Sequence, residues 1–234
     1  MTGWGMRKPV AESGWPCVGC AEHGLEAENP AHFDDRVKRV TDLLLASTLL
    51  IVALPVLLLA GLAIRLETPG PALFIQTRVG MHGRRFRVLK LRTLYRHGRG
   101  RSARGGQVRP GDPRVTRVGR VLRRTCLDEL PQLVNVLRGE MSLVGPRPHA
   151  LGHDLHFARL VPGYADRRRV RPGLTGWAQV NGCCGAVEEV AQLYRRTRHD
   201  LRYVASRSLA LDLAILARTA GVVVRCGPVS PRRD

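Results

Sequence analysis

Asp128 and Glu129 stand side by side just ahead of Pro131, at the end of the most basic stretch of the chain. Between Arg78 and Arg124, sixteen Lys or Arg residues are opposed by one acid, Asp112. Anions gather in such a field. Pro131 has no N–H to give, so a helix containing it must begin close by, near Leu127 or Asp128. Leu130, Leu133, Val134 and Leu137 then repeat at helical spacing as far as Gly139, a natural C′ residue. The acidic pair therefore belongs to a helix N-terminus, where free N–H groups and the helix dipole favour a phosphate or a developing anion. Asp and Glu are also ordinary capping residues of a first turn. On this motif alone, chemistry and capping stay equally open.

The elements that must position the pair begin with an apolar run. Leu43 to Ile64 is 22 residues without a charge, long enough to span a hydrocarbon core. It starts too far from Met1, and lacks a following small-residue cleavage site, to be a signal peptide. Pro55 sits at its middle, with Arg36, Lys38 and Arg39 before it and Arg65, Arg78, Arg84 and Arg85 after it. Basic flanks belong on the cytoplasmic side, and one straight span cannot put both there. A helix over 34–66 that enters, breaks at Pro55 and returns to the same face satisfies both, with Lys38 and Arg39 snorkelling to headgroups. A straight span and a buried soluble helix are the alternatives.

After this run, Thr68-Pro-Gly-Pro71 makes a turn, and two strand-like runs, Ala72–Gln76 and Phe86–Leu91, read as a hairpin beside the membrane. Residues 96–111 are rich in Gly and Arg and read as a mobile surface loop. Val115–Arg124 alternates apolar and basic residues. Leu151–Leu160 and Val187–Tyr203 read as helices, with a turn-rich segment, Val170–Gly182, between them. Leu209–Val224 either lies on the bilayer or closes the core. The class is thus α+β: a membrane-embedded re-entrant helix broken at a proline, a small β-hairpin, and a compact helical catalytic domain over 67–226. Residues 1–33 and 227–234 read as a disordered extension and a tail.

Composition narrows the partners. The formal net charge of +19, carried mostly by arginine, calls for nucleotide diphosphates, anionic lipid or nucleic acid. With four Phe, four Tyr and three Trp, none interleaved with the arginines, a single-strand stacking platform is missing, and nucleic acid is set aside. Six cysteines at 17, 20, 126, 183, 184 and 226 do not form a disulfide framework. Cys17 and Cys20 are half of a zinc motif without its second half.

Taken in order, Lys38-Arg39-Val-Thr-Asp42, Thr68-Pro-Gly-Pro71, Gln76-Thr-Arg-Val-Gly80, Lys90-Leu-Arg92, Asp112-Pro-Arg-Val-Thr-Arg-Val-Gly119, Thr125 to Pro148, and Arg171 to Gly182 resemble the bacterial sugar transferases. These are monotopic polyprenyl-phosphate phosphoglycosyltransferases, and the likeness covers about residues 36–224. It implies that Asp128 and Glu129 are the catalytic pair. Asp128 would attack the β-phosphorus of a UDP-sugar, release UMP and pass the sugar-phosphate to polyprenyl phosphate. It further implies Mg²⁺ near Asp128 and Glu129, and donor phosphates on Arg123 and Arg147, with Lys90 and Arg92 as weaker contacts. The setting it implies is the cytoplasmic face of the bacterial inner membrane, at the start of exopolysaccharide, capsule, O-antigen or glycoprotein glycan assembly. A homodimer is compatible with it. The sequence departs from the family pattern at Cys126, at Leu54 and at Cys183-Cys184. A basic, membrane-associated binding or regulatory protein, its carboxylates mere caps, is the competing class.

Overall fold

A computed structural model describes residues 35–95, 108 and 111–225. The expectations for 1–33, for the tail and for nearly all of the 96–111 loop lie outside the described residues. Helix α1 (Asp35–Glu67) runs as one helix with Pro55 inside it, where the proline leaves one i→i−4 hydrogen bond unmade. Over its most apolar 18 residues the mean hydropathy is 2.7, and only 6 % of those residues are buried in protein. By length and composition it can cross a membrane.

Both ends of α1 are fastened to the same folded body. At its start, Lys38 Nζ donates to Asp212 Oδ2 at 2.5 Å. Arg39 reaches the carbonyls of Val136 and Leu137 at 2.7 and 2.9 Å, and Asp42 Oδ1 accepts from the Leu143 N–H at 3.1 Å. The two basic side chains expected to snorkel toward lipid thus spend their donors on protein. Lys38 neutralises a buried carboxylate, and Arg39 adds hydrogen bonds to the last carbonyls of a helix C-terminus. At the other end, Arg92 donates to the carbonyls of Pro69 and Thr68 at 2.7 and 2.8 Å.

The hairpin pairs β1 (Leu73–Val79) with β2 (Arg85–Leu91), antiparallel, from Leu73 opposite Leu91 to Val79 opposite Arg85. Its tight turn uses His82 and Gly83 at positive φ. Residues 115–124, whose alternation suggested no particular element, contain helix α2 (Arg117–Arg124). Thr116 Oγ1 caps it by accepting from the Gly119 N–H at 2.8 Å. The carboxylate of Glu67, at the end of α1, accepts from the N–H groups of Arg117 and Val118 at 2.6 and 3.0 Å. One helix thereby caps the next across 50 residues of chain. Gly119 is obligatory here, since a Cβ would lie 2.3 Å from the Thr93 carbonyl oxygen.

A 3₁₀ turn, Leu127–Glu129, precedes α3 (Gln132–Leu137), and Gly139 follows with φ +82°. Strand β3 (Ser142–Val144) runs parallel to β4 (Gly173–Thr175). No sequence signal announced this small sheet. Between the two strands lie α4 (Leu151–Leu160) and a 3₁₀ segment, Tyr164–Arg169. The chain closes with α5 (Trp177–Val180), α6 (Val190–Ser206) and α7 (Leu209–Arg225). Ile215 of α7 is fully buried beside Leu133, Val136 and Leu143, so α7 contributes to the main core. Ala46 of α1 enters the same core. Ala60 and Ile64 join a second cluster with Leu91 and Leu122, against which Leu127 packs.

Candidate active site

The chain leaves α2 through Cys126, a non-glycine residue in the left-handed region at φ 56°, ψ 14°. Such a conformation is held only where the surroundings over-determine it. Here Leu127 is anchored in the α1–α2 cluster on one side, and α3 begins at once on the other. The intervening turn sets Asp128 and Glu129 in different surroundings.

Glu129 is the charged hub. Lys90 Nζ donates to its Oε1 at 2.7 Å, Arg147 NH1 donates to Oε2 at 2.8 Å, and Arg147 NH2 also donates to Oε1. A bidentate guanidinium plus an ammonium is the strong form of a charge-assisted contact. Burial pushes the Glu129 carboxyl up, but Arg147 and Lys90 outweigh it and hold it well below the usual carboxylate range. Glu129 in turn raises the Arg147 pKa.

Asp128 is the opposite case. It is 8 % exposed, and among the described residues no donor hydrogen-bonds its carboxylate. Burial and the neighbouring Glu129 charge push its pKa up to about 6, with Lys90, Arg123 and Arg147 opposing. At neutral pH the group is ionised, desolvated and unpaired, which is the state of an activated oxygen nucleophile.

Arg123, in the last turn of α2, makes one long hydrogen bond, 3.4 Å from NH1 to Thr93 Oγ1. Most of its guanidinium is free to take a phosphate. Arg147 is held between the buried Pro146 and Pro148, and its carbonyl accepts from Arg167 NH2 at 2.8 Å. The structure therefore brings together Asp128, Glu129, Lys90, Arg123 and Arg147. It does not bring Arg92, whose guanidinium serves the carbonyls at the end of α1. Alternation would put Lys90 and Arg92 on one face, but β2 ends at Leu91, and Arg92 beyond it is held at the end of α1, its N–H donating to the Ala72 carbonyl at 2.7 Å.

Several contributors went unread in the sequence. Asn135 is completely buried, and its Oδ1 accepts from the Leu89 N–H at 3.0 Å while Nδ2 donates to the Arg87 carbonyl at 2.7 Å. Its carboxamide thus acts as a third strand along the outer edge of β2 and fixes the level of Lys90. An Asn inside the apolar stripe of α3 was the available signal. Arg78, a membrane flank and part of the Gln76–Gly80 motif in the sequence, was given no role at the site there. It donates to the Pro148 carbonyl at 2.6 Å, and burial together with Arg147 lowers its pKa to about 10. Behind Arg147, Arg167 binds Asp200 and Tyr164 at 2.9 Å each. Burial, aided by Arg167 and Arg196, holds His149 well below its ordinary range, so it is neutral at pH 7. A small cleft of about 20 Å³ opens between Arg147, His149, Arg168 and Gly80.

For a divalent cation, the donor set is lean. No group of three or more His, Cys, Asp or Glu side chains converges among the described residues. Both oxygens of Glu129 are taken by cations, leaving Asp128 as the available carboxylate. That suits Mg²⁺, which typically takes one or two carboxylates and completes its shell with phosphate oxygens and water.

Residues 33–226 match the family described as bacterial sugar transferase. Over 185 residues the chain is 53 % identical to a UDP-glucose:undecaprenyl-phosphate glucose-1-phosphate transferase of Caulobacter vibrioides, covering 79 % of this chain and 68 % of the relative. A protein of the same name from Escherichia coli is 44 % identical over 78 % of this chain and 39 % of its own length. A UDP-N-acetylgalactosamine-undecaprenyl-phosphate N-acetylgalactosaminephosphotransferase of Aeromonas hydrophila is 40 % identical over 80 % of this chain and 44 % of its own. The chain thus spans under half the length of the latter two relatives.

Proposed function

Because the chain belongs to the bacterial sugar transferase family, we propose that it transfers a sugar 1-phosphate from a UDP-sugar to undecaprenyl phosphate, with glucose the sugar that the names of several relatives indicate. The observation that carries this is the contrast within the pair: Glu129 is neutralised by Lys90 and Arg147, and Asp128 is buried, charged and bare. A carboxylate kept desolvated without a donor is a loss of stability that a helix cap has no need to bear. This sets the binding-protein reading aside.

In the reading proposed, an Asp128 carboxylate oxygen attacks the β-phosphorus of the donor. The bond to the bridging oxygen breaks, and UMP leaves with the electron pair. The sugar-phosphate stays on Asp128 as an acyl phosphate, and a phosphate oxygen of undecaprenyl phosphate then attacks the same phosphorus and frees the carboxylate. A covalent relay lets a water-soluble donor and a lipid acceptor use one site in turn. Arg123 takes donor phosphate with its unused N–H groups, and Arg147, oriented by Glu129, Pro146 and Pro148, adds a second positive charge beside the pair. Charge neutralisation, more than proton transfer, is what phosphoryl transfer requires. Mg²⁺, held by Asp128 and substrate phosphates, would supply further neutralisation.

We also propose that α1 enters the bilayer from the cytoplasmic face and returns to it. A straight crossing puts ~30 Å of hydrocarbon between its ends. The contacts of Lys38, Arg39 and Asp42 at one end, and of Glu67 and Arg92 at the other, are made with one charged domain.

The deciding experiment is UMP release from UDP-sugars by detergent-solubilised protein with Mg²⁺ and undecaprenyl phosphate, beside Asp128→Asn. Turnover dependent on Asp128 and lipid is expected. Turnover retained by the Asn variant overturns the covalent relay, and absence of release with every donor overturns the enzyme.

A further inference from the structure

Leu73, Phe74 and Ile75 of β1 are 48, 47 and 53 % exposed. Because strand side chains alternate, this run makes both faces of the hairpin's open end apolar. Near the turn the other edge of β1 is bridged, Arg78 to Ala150, but at Leu73–Ile75 the only strand partner among the described residues is β2, so the outer edge there is unprotected. In water such an edge is a liability.

Depth is fixed by the neighbouring helix. Ala72, the residue before β1, packs in the cluster with Ala60 and Ile64, and a Cβ built on Gly61 would lie 3.8 Å from that of Ala72. After the turn at Thr68–Pro71, the chain has therefore doubled back to the level of Gly61. That is six residues, or about 9 Å along the helix axis, before the last residue of α1, Glu67. Gly61 lies inside the charge-free run. Polarity along the hairpin follows the same gradient. Beyond Ile75 come Gln76, Thr77 and Arg78, and the exposed Arg87 and Arg85 of β2 stand opposite Thr77 and Val79. Lys90, the charge on β2 opposite Phe74, is turned onto Glu129.

We propose that the Leu73–Ile75 end of the hairpin is inserted among lipid acyl chains beside α1, with Arg85 and Arg87 at the level of the headgroups. This sets the depth of the catalytic pair. Phe74 lies across from Lys90, so Glu129 sits at the boundary between apolar and phosphate layers, where an acceptor lipid presents its phosphate.

The inference rests on α1 lying in the bilayer, so the test reads both. Full-length protein is placed in vesicles of phosphatidylethanolamine and phosphatidylglycerol with brominated acyl chains. The fluorescence added over the parent protein is measured for Phe74→Trp, Ile75→Trp, Leu58→Trp and Tyr194→Trp. Tyr194 is exposed, and its hydroxyl reaches Leu160 on α4. Bromine is expected to quench most of the added emission at 74, 75 and 58, and to leave 194 untouched. Quenching at 58 with 74 and 75 behaving like 194 overturns hairpin insertion and leaves the helix in the membrane. No quenching at 58 overturns both. Blue-shifted emission at 74 and 75 that ignores bromine points to a protein occupant and also overturns it. Leu73→Trp gives a further reading should either strand variant fail to fold.

Discussion

Asp128→Asn is expected to abolish turnover and, at the same time, to stabilise the protein. The carboxyl rises from 3.8 to about 6 on folding, chiefly through burial and then the Glu129 charge. Each unit is 1.36 kcal/mol, so the ionised group costs the folded state about 3 kcal/mol at neutral pH. The sign follows from linkage. Below 3.8 the group is protonated in both states, and the penalty is absent. Between 3.8 and about 6 the unfolded chain has lost the proton and the folded one has not, so stability falls as pH rises. Above 6 both are ionised, and the full penalty applies. Asn is neutral throughout and nearly isosteric. The variant should therefore melt several degrees higher than the parent at pH 7.5, at roughly 2–4 °C per kcal/mol for a domain of this size. The gap should close as pH is lowered toward 4. Thermal unfolding in one detergent at a series of pH values, with UMP release measured on the same samples, makes the comparison. A variant less stable than the parent at pH 7.5, or a gap independent of pH, would refute the claim that Asp128 is held charged without a partner.

Other expectations are simpler. Activity should fall about tenfold per pH unit below 6, as Asp128 takes up its proton; a rate flat from pH 7 to 5 would exclude it as the nucleophile. Glu129→Gln leaves Lys90 and Arg147 facing each other without their anion, which should lower stability by about 3 kcal/mol as well as rate, measurable by denaturation and UMP release. Arg123→Ala should slow turnover by roughly 10²-fold or more while hardly shifting the melting temperature, because its one protein hydrogen bond is 3.4 Å long. Glu67→Ala uncaps α2 from a distance and should cost about 1 kcal/mol in a thermal melt.

Local rules made much of the chain legible. The hairpin, α4, α6 and α7 follow from spacing and turn residues, because each element's own sequence decides whether it can form. The end of α3 was readable from Gly139, but its start was not: the helix expected from Leu127 or Asp128 begins only at Gln132, after Pro131. The acidic pair lies in the separate 3₁₀ turn Leu127–Glu129, because the left-handed Cys126 and the packing of Leu127 shape that turn. The β3–β4 sheet was not readable, since three-residue strands carry too little pattern. It depends instead on Gly145 and Gly173, where a Cβ would meet backbone at 2.4 and 2.1 Å. Residues 115–124 follow the same logic: α2 is capped by Glu67, which stands 50 residues away in sequence.

By itself, the sequence determined the inventory of the site: two adjacent carboxylates in a basic field, an apolar helix long enough for a membrane, and a family. Only the tertiary structure decided how the carboxylates divide their roles. Glu129 is the one that Lys90 and Arg147 neutralise, and Asp128 is the one left bare. The tertiary structure likewise decided that Lys90 reaches the site and Arg92 does not, and that Lys38 and Arg39 bind protein. Charge and period are properties of neighbours along the chain. Which cation meets which anion depends on distances across 18 to 174 residues of sequence, and packing alone sets those.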